Sequence, residues 1–493
     1  MTARVAAALA LAALVVLHLV GLVRLANRNS LDVDESEYLQ AGLRMARGDR
    51  IYVDFAEHHS PILFQVLSRF AHGDLGAYVR RARVFSSVCG VIALAAAALL
   101  VWRATRRLYA PAILIGGLTA GPLILGRAGA FVRPEPPALA LFLLGALLIA
   151  GASRRVAAGA LGVGLIALSF FLSPKWPLSS LALGVAFVIG AAPARRLALA
   201  AAAVACAFLL LAVSTDLRAY FDFVFVFNRE LFRWALLHRT EDLARGFFHC
   251  PTILRPQFVV PAGALVAFVA VRFRDAFADV RVVWGSLLLL ATSLIEIRFV
   301  YPYPLLGQQY FILWALAASA IFAFVPQAVV ALVPMGVRPA ARSVAVVFTS
   351  IAVLQGIMGI PYAGGADPVS IADARLAAAL RPGDTVFLGS LRHPLGVHDA
   401  SYYWFGFHDV VPAALAFAKT PRGRAILPPI REEDLPPCRL ERGLEPHLRF
   451  VGGEVTAAMP ILEGCIQRLR TRGILVPTNV YLVYRVRRPG ELQ

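Results

Sequence analysis

The chain has 493 residues, of which 59% are hydrophobic and only 16% charged, and its mean hydropathy is +0.70. Soluble domains carry nearer a quarter charged residues, so this composition excludes a soluble globular protein and implies one that crosses a membrane many times. The net charge of +18 does not call for a nucleic-acid partner, because the basic residues come in pairs between apolar runs and form no patch.

A membrane helix needs about 20 mostly apolar residues. Segments of that kind fall near 5–23, 84–102, 110–126, 137–152, 156–173, 178–193, 197–213, 257–271, 282–297, 305–325 and 343–361. They predict a polytopic α-helical membrane protein with about 11 transmembrane helices. Short cytoplasmic loops collect Arg and Lys, and alternate loops hold Arg103/Arg106/Arg107, Arg154/Arg155, Arg195/Arg196, Arg272/Arg274/Arg281 and Arg338/Arg342. The N-terminus is therefore expected inside. The first segment reads as a retained helix, since it is longer than a signal-peptide core and no small-residue cleavage site follows it. Pro326 and Pro334 interrupt the apolar stretch 305–336. Read as one crossing it leaves the C-terminus outside, and split in two it would bring the C-terminus inside.

On the first of these topologies, residues 1–361 form the transmembrane domain with a first outer loop at 24–83, and 362–493 form an extracytoplasmic C-terminal domain. In that last segment TVFLG at 385–389, ILVP at 474–477 and VYLVYRV at 480–486 pattern as strands between polar turns, which predicts a small α/β domain. Cys438 and Cys465 both lie there, where an oxidising compartment permits a disulfide, and Cys250 is a third candidate partner. Cys89 and Cys206 fall in membrane helices and read as small apolar residues.

Polar chemistry gathers in the first outer loop: Asp32, Asp34, Glu35, Glu37, then Asp54, Glu57, His58 and His59. Asp34 to Gly48 reads as a short surface helix, with Asp34 as cap, Glu37 completing a capping box and Gly48 as stop. Capping needs one such residue and leaves Glu35 and the cluster Asp54–His59 unexplained. Carboxylates and imidazoles beside a bilayer are costly unless they face water or do chemistry.

These motifs resemble the GT-C glycosyltransferases of the protein-mannosyltransferase and lipid A aminoarabinose-transferase type (glycosyltransferase family 39). That family carries an Asp-Glu pair after the first membrane helix, a Tyr soon after, and then a D-F-x-D/E-H-K-P-P-L stretch. Here Asp34, Glu35, Tyr38, Asp54, Phe55, Glu57 and His58 match, while His59 stands where many members have Lys and Ser60 where they have Pro. Arg133-Pro134-Glu135, the Lys-bearing turn SPKW at 173–176 and YPYPLLGQQY at 301–310 fit the same family in the same order.

The resemblance implies a membrane transferase that moves a hexosyl or pentosyl group from a polyprenyl-phosphate donor to a lipid, glycan or protein hydroxyl outside the inner or plasma membrane, inverting the anomeric carbon. A carboxylate must take the acceptor proton, a role for Asp34, with Glu35 as neighbour and Glu135 as a second acid expected to face it. Glu135 is equally suited to a plain helix-start charge. Cations must meet the leaving phosphate, and the candidates are Lys175, one of only two Lys in the chain, with His59, Arg133 and Arg298. Lys175 could instead simply snorkel, and His59 be merely solvated. Tyr38, Glu57, His58 and Tyr303 are expected to touch substrate. No organic cofactor is called for. A divalent cation could sit among paired carboxylates and His, although adjacent His58 and His59 are too close to act as two helical ligands of a tight zinc site.

A transporter or flippase of a lipid-linked sugar is the rival from another class. Such proteins show paired repeats and broken helices with ionisable groups at mid-membrane, whereas these acidic residues sit at helix ends.

Overall fold

In the computed structural model the residues described are 31, 33–119, 131–152, 155–189, 192–238, 255–300, 311–340, 375–388, 395–402, 410–443, 445–452, 459–479, 482–487 and a few isolated positions. They divide into two compact units, one made of 1–28, 83–214 and 241–363, the other of 29–82, 215–240 and 364–493.

The first unit is a bundle of apolar helices. Leu75–Thr105, which enters it from the second unit, Pro193–Ser214 and Ile312–Leu332 have 31, 22 and 21 residues and are each long and apolar enough to cross a membrane. Tyr109–Thr119, Glu135–Gly151, Val156–Leu172, Pro177–Val188, Pro256–Arg272 and Val280–Ile295 are shorter apolar helices. Nine of the segments expected to cross therefore coincide with a helix. The stretches 5–23 and 343–361 lie almost wholly outside the described residues. Ile312–Leu332 runs through Pro326 unbroken and stops before Pro334. Pro193–Ser214 leaves Leu197, Val204, Leu209, Leu210 and Val213 exposed, an apolar outer face suited to lipid chains.

Two features order this bundle. Glu135–Gly151 and Val156–Leu172 pack as a hairpin, and a Cβ at either Gly145 or Gly162 would come within 2.6 Å of the other's carbonyl oxygen. Only glycine lets the two backbones approach so closely. The hairpin brings the start of the first helix, Glu135, to the same end as the turn after the second, Lys175. At the opposite end Arg103 donates to Asp279 Oδ2 at 2.6 Å and to the Ala150 carbonyl at 2.8 Å. A helix of 17 residues separates these two ends by about 25 Å. The basic loop at Arg103 thus lies at the far end of the bundle from Glu135 and Lys175.

The second unit is built around Val33–Ala46. Gly48, with φ +100°, takes the left-handed turn just beyond it, as expected of a helix stop. Every residue from Glu35 to Arg44 is buried, so this helix is enclosed by protein where the sequence predicts one lying on a surface. Pro61–Phe70 covers it with Pro61, Leu63, Phe64 and Leu67, an i, i+3, i+6 stripe. The π-helical segment Asp222–Phe227 leads into the helix Asn228–His238. A four-stranded sheet, with β1 Thr385–Phe387, β2 Leu448–Gly452, β3 Leu475–Pro477 and β4 Val483–Val486, has the order β1-β2-β4-β3. β1 pairs parallel with β2 and the other pairs are antiparallel. Strands β1, β3 and β4 fall where the alternation predicts them, and β2 escaped that pattern. Cys438 and Cys465 form a disulfide 27 positions apart, with Cα atoms 5.1 Å from each other.

Candidate functional site

In the second unit the Val33–Ala46 helix and the loop 51–60 bring Glu37, Glu57, His58 and His59 together. One ligand atom from each lies within 4.8 Å of all the others. Glu57 organises the loop. Its Oε1 accepts from the backbone N–H of His58 at 2.8 Å and of His59 at 3.1 Å, and lies 2.8 Å from His59 Nδ1. The same Nδ1 is 3.5 Å from Glu37 Oε1. Tyr38 Oη and His59 Nε2 are 3.4 Å apart, with the rings edge to face.

Burial would strip His59 of its proton, but the charges of Glu37 and Glu57 overcome it and raise the imidazole to about 10. Burial would likewise raise Glu57, and the hydrogen bond and charge of His59 reverse that, holding it below the ordinary carboxylate range. Glu37 goes the other way. Burial first, and then the charge of Glu57, hold it well above that range, and the charge of Asp34 adds to the push. Glu57 and His59 thus form a buried ion pair, and Glu37 beside them holds its proton more tightly than an ordinary carboxyl does.

Glu37 Oε1 and Glu57 Oε2 are buried with no hydrogen-bond partner among the described residues. Two carboxylates and two imidazoles form a mixed oxygen and nitrogen set that could hold a divalent cation. His58 and His59 lie in a loop, not on a helix, with ring centroids 4.0 Å apart, so the helical objection to their ligating together does not apply. Glu37, read from sequence as half of a capping box, is turned toward His59.

Of the acidic pair, Glu35 is fully buried and Asp34 half-buried, so Asp34 is the one that reaches solvent. Tyr52 adopts φ +67°, a left-handed conformation that costs a residue with a Cβ about 1–2 kcal/mol.

In the first unit Lys175 Nζ pairs with Glu135 Oε1. Glu135 is buried, and its Oε2 has no hydrogen-bond partner among the described residues. Arg133, half-buried, stands two positions before it. Glu296, at the end of Val280–Ile295, accepts from Ser179 N–H and Ser179 Oγ, both at 2.9 Å. This caps the helix Pro177–Val188 directly after the Lys175 turn and holds that turn in place. Arg298 lies in the π-helical segment Glu296–Val300 with its side chain outside the description, and Tyr303 lies outside the described residues.

Sequence reasoning missed Glu296 and Asn228, which donates from Nδ2 to the His58 carbonyl at 2.7 Å. Glu296 opens one π-helical segment and Asn228 follows another, an irregularity frequent at functional sites but without a residue signature of its own.

The apolar helices, three of them long and apolar enough to cross a membrane, mark a membrane protein. Its fold is shared with ArnT from Cupriavidus metallidurans. Against its crystal structure bound to undecaprenyl phosphate the TM-score is 0.62, with 14% identity over 100% of this chain and 99% of that one. Against the apo crystal structure it is 0.54, again at 14% identity, over 98% of each chain. Neither a protein-family model nor a curated protein sequence matches the chain.

Proposed function

We propose that this protein is a membrane glycosyltransferase that takes a hexosyl or pentosyl group from a polyprenyl-phosphate carrier and gives it to a hydroxyl on the extracytoplasmic face. The observation that carries this reading is the end-to-end likeness to ArnT, one structure of which is bound to undecaprenyl phosphate. The alignment spans 100% of this chain and 99% of that one, which supports a shared fold beyond any single pair of helices.

In this reading the acceptor oxygen attacks the anomeric carbon while its proton passes to Asp34. The bond from that carbon to the carrier phosphate breaks, and the phosphate leaves with the bonding pair, so the anomeric centre inverts. Lys175 supplies charge to the leaving phosphate. An ammonium has three donors, enough to serve a carboxylate and a phosphate oxygen together. Arg133, Arg298 and His59 are further cations for the same purpose, and Tyr38, Glu57, His58 and Tyr303 contact substrate. The extracytoplasmic sidedness rests on the arginine-rich loops, whose representative Arg103 lies at the end of the bundle away from Lys175.

The test is transfer of radiolabel from lipid-linked sugars by the purified protein, with Asp34→Asn beside it. Wild type is expected to transfer, and the variant to lose about 10²–10⁴-fold in rate. Full activity in Asp34→Asn removes that residue as base. Absence of transfer from every polyprenyl-phosphate sugar favours a flippase, which the same protein in vesicles would reveal by moving the carrier.

A further inference from the structure

The loop that bears Glu57, His58 and His59 is held by one of its own side chains, Tyr52, and by others distant in sequence. The Tyr52 hydroxyl donates to the His59 carbonyl at 2.8 Å, and the Asn228 amide donates to the His58 carbonyl at 2.7 Å. Two consecutive peptide planes are thereby fixed, and with them the directions of both imidazoles. Tyr52 is itself gripped on every side. Its N–H donates to the Phe55 carbonyl at 3.0 Å, its ring stacks on Phe223 with centroids 5.1 Å apart, and its carbonyl accepts from the Tyr402 hydroxyl at 2.6 Å. A left-handed, non-glycine residue persists only where its surroundings over-determine it, and such residues gather at active sites and ligand clamps.

Tyr402 lies 350 positions beyond Tyr52 and also accepts, through its own carbonyl, the Ala56 N–H at 2.8 Å. Its segment, 395–402, is tied to the Val33–Ala46 helix. Gln40 Nε2 donates to the Val397 carbonyl, Gln40 Oε1 accepts from the Gly396 N–H at 2.8 Å, and Arg47 donates to the Gly396 carbonyl at 2.8 Å. The loop therefore closes on a late piece of the chain at Tyr402, and that piece is anchored at Gln40 and Arg47, away from the imidazoles.

We propose that Tyr52, Asn228 and Tyr402 form a clamp that positions the Glu57-His58-His59 loop, and that docking of segment 395–402 through Gln40 completes the clamp. These are positioning residues, and their bearing on turnover rests on the transferase reading above. The C-terminal region is in this view an obligatory wall of the first loop's site, so a chain ended before residue 395 would hold the imidazoles loosely.

The experiment uses the full chain in lipid nanodiscs. Tyr402→Phe keeps the ring and deletes only the hydroxyl, and Gln40→Ala touches no residue of the loop. Hydrogen exchange is followed by mass spectrometry on peptides covering 53–60, and kcat and KM for sugar transfer are measured beside it. Loss of one such hydrogen bond corresponds to roughly tenfold in local opening. Both variants are expected to speed exchange at Ala56, His58 and His59 about tenfold, leave the apolar helices unchanged, and lower kcat for sugar transfer more than they change KM. Wild-type exchange in both variants overturns the clamp. Faster exchange with sugar transfer at the wild-type rate overturns the positioning role. Should wild type transfer no sugar from any carrier while exchange responds as expected, the clamp stands and the transferase reading falls.

Discussion

His59 Nδ1 lies 2.8 Å from Glu57 Oε1 and 3.5 Å from Glu37 Oε1, so one imidazole joins two buried carboxylates. A buried charge is tolerable only when paired and hydrogen-bonded, and here each member depends on the others. Where the related motif has Lys, this chain has an imidazolium whose charge is already engaged by its neighbours.

Glu57→Gln keeps an oxygen that can accept from the backbone N–H groups but removes the negative charge paired with His59. Breaking a buried pair by deleting one partner is strongly destabilising, so a loss of about 3 kcal/mol in unfolding free energy is expected. Chemical denaturation in detergent measures it. A change below about 0.5 kcal/mol, the size of an ordinary surface substitution, would mean that Glu57 does not hold the loop.

Stability should depend on pH with a defined sign. The His59 value of about 10 lies above its unfolded 6.5, so its contribution is complete below 6.5 and lost as pH rises through 10. Glu57 lies below its unfolded 4.5, so its contribution is present above 4.5 and lost as pH falls through the folded value. Glu37, raised above 4.5, favours the folded state most at low pH and loses that contribution as pH rises past 4.5. The His59 and Glu57 contributions are together complete between 4.5 and 6.5. Melting temperature should decline from pH 7 to 10, and His59→Gln should flatten the decline.

Lys175→Met leaves Glu135 buried without its cation and should cost about 3 kcal/mol, much of it regained in the double variant with Glu135→Gln. Affinity for undecaprenyl phosphate, read by native mass spectrometry, separates structure from function. It should fall at least tenfold in Lys175→Met and stay low in the double variant. Recovery of binding in the double variant would make the lysine a structural partner only.

The Cys438–Cys465 bridge closes a loop 27 positions long, for which chain entropy predicts about 3–4 kcal/mol of stabilisation. Cys438→Ser with Cys465→Ser should lower denaturation midpoints accordingly. Maleimide should label neither cysteine in native protein made in an oxidising compartment until it is reduced.

How much of this was legible in the sequence depends on the range of the interactions involved. Apolar runs of membrane length, the Gly48 stop and three of the four strands are local patterns, because helix and strand periodicity is written within a dozen residues. The acidic entrance and the Glu57-His58-His59 run were visible as costly residues in an apolar chain. Their arrangement was not. Glu37 reads as a capping residue until the fold turns it toward His59, and the pairing of Lys175 with Glu135 emerges only once the Gly145–Gly162 hairpin brings the two to one end. Asn228, Glu296 and Tyr402 carry no signal at all in one sequence, since a polar residue in an aromatic or apolar stretch is ordinary until something distant accepts its hydrogen bond. Composition and periodicity determined that the chain spans a membrane and where its polar residues lie along it. Which of those residues meet was decided by tertiary structure alone, because burial and pairing across hundreds of positions are properties of the packed chain.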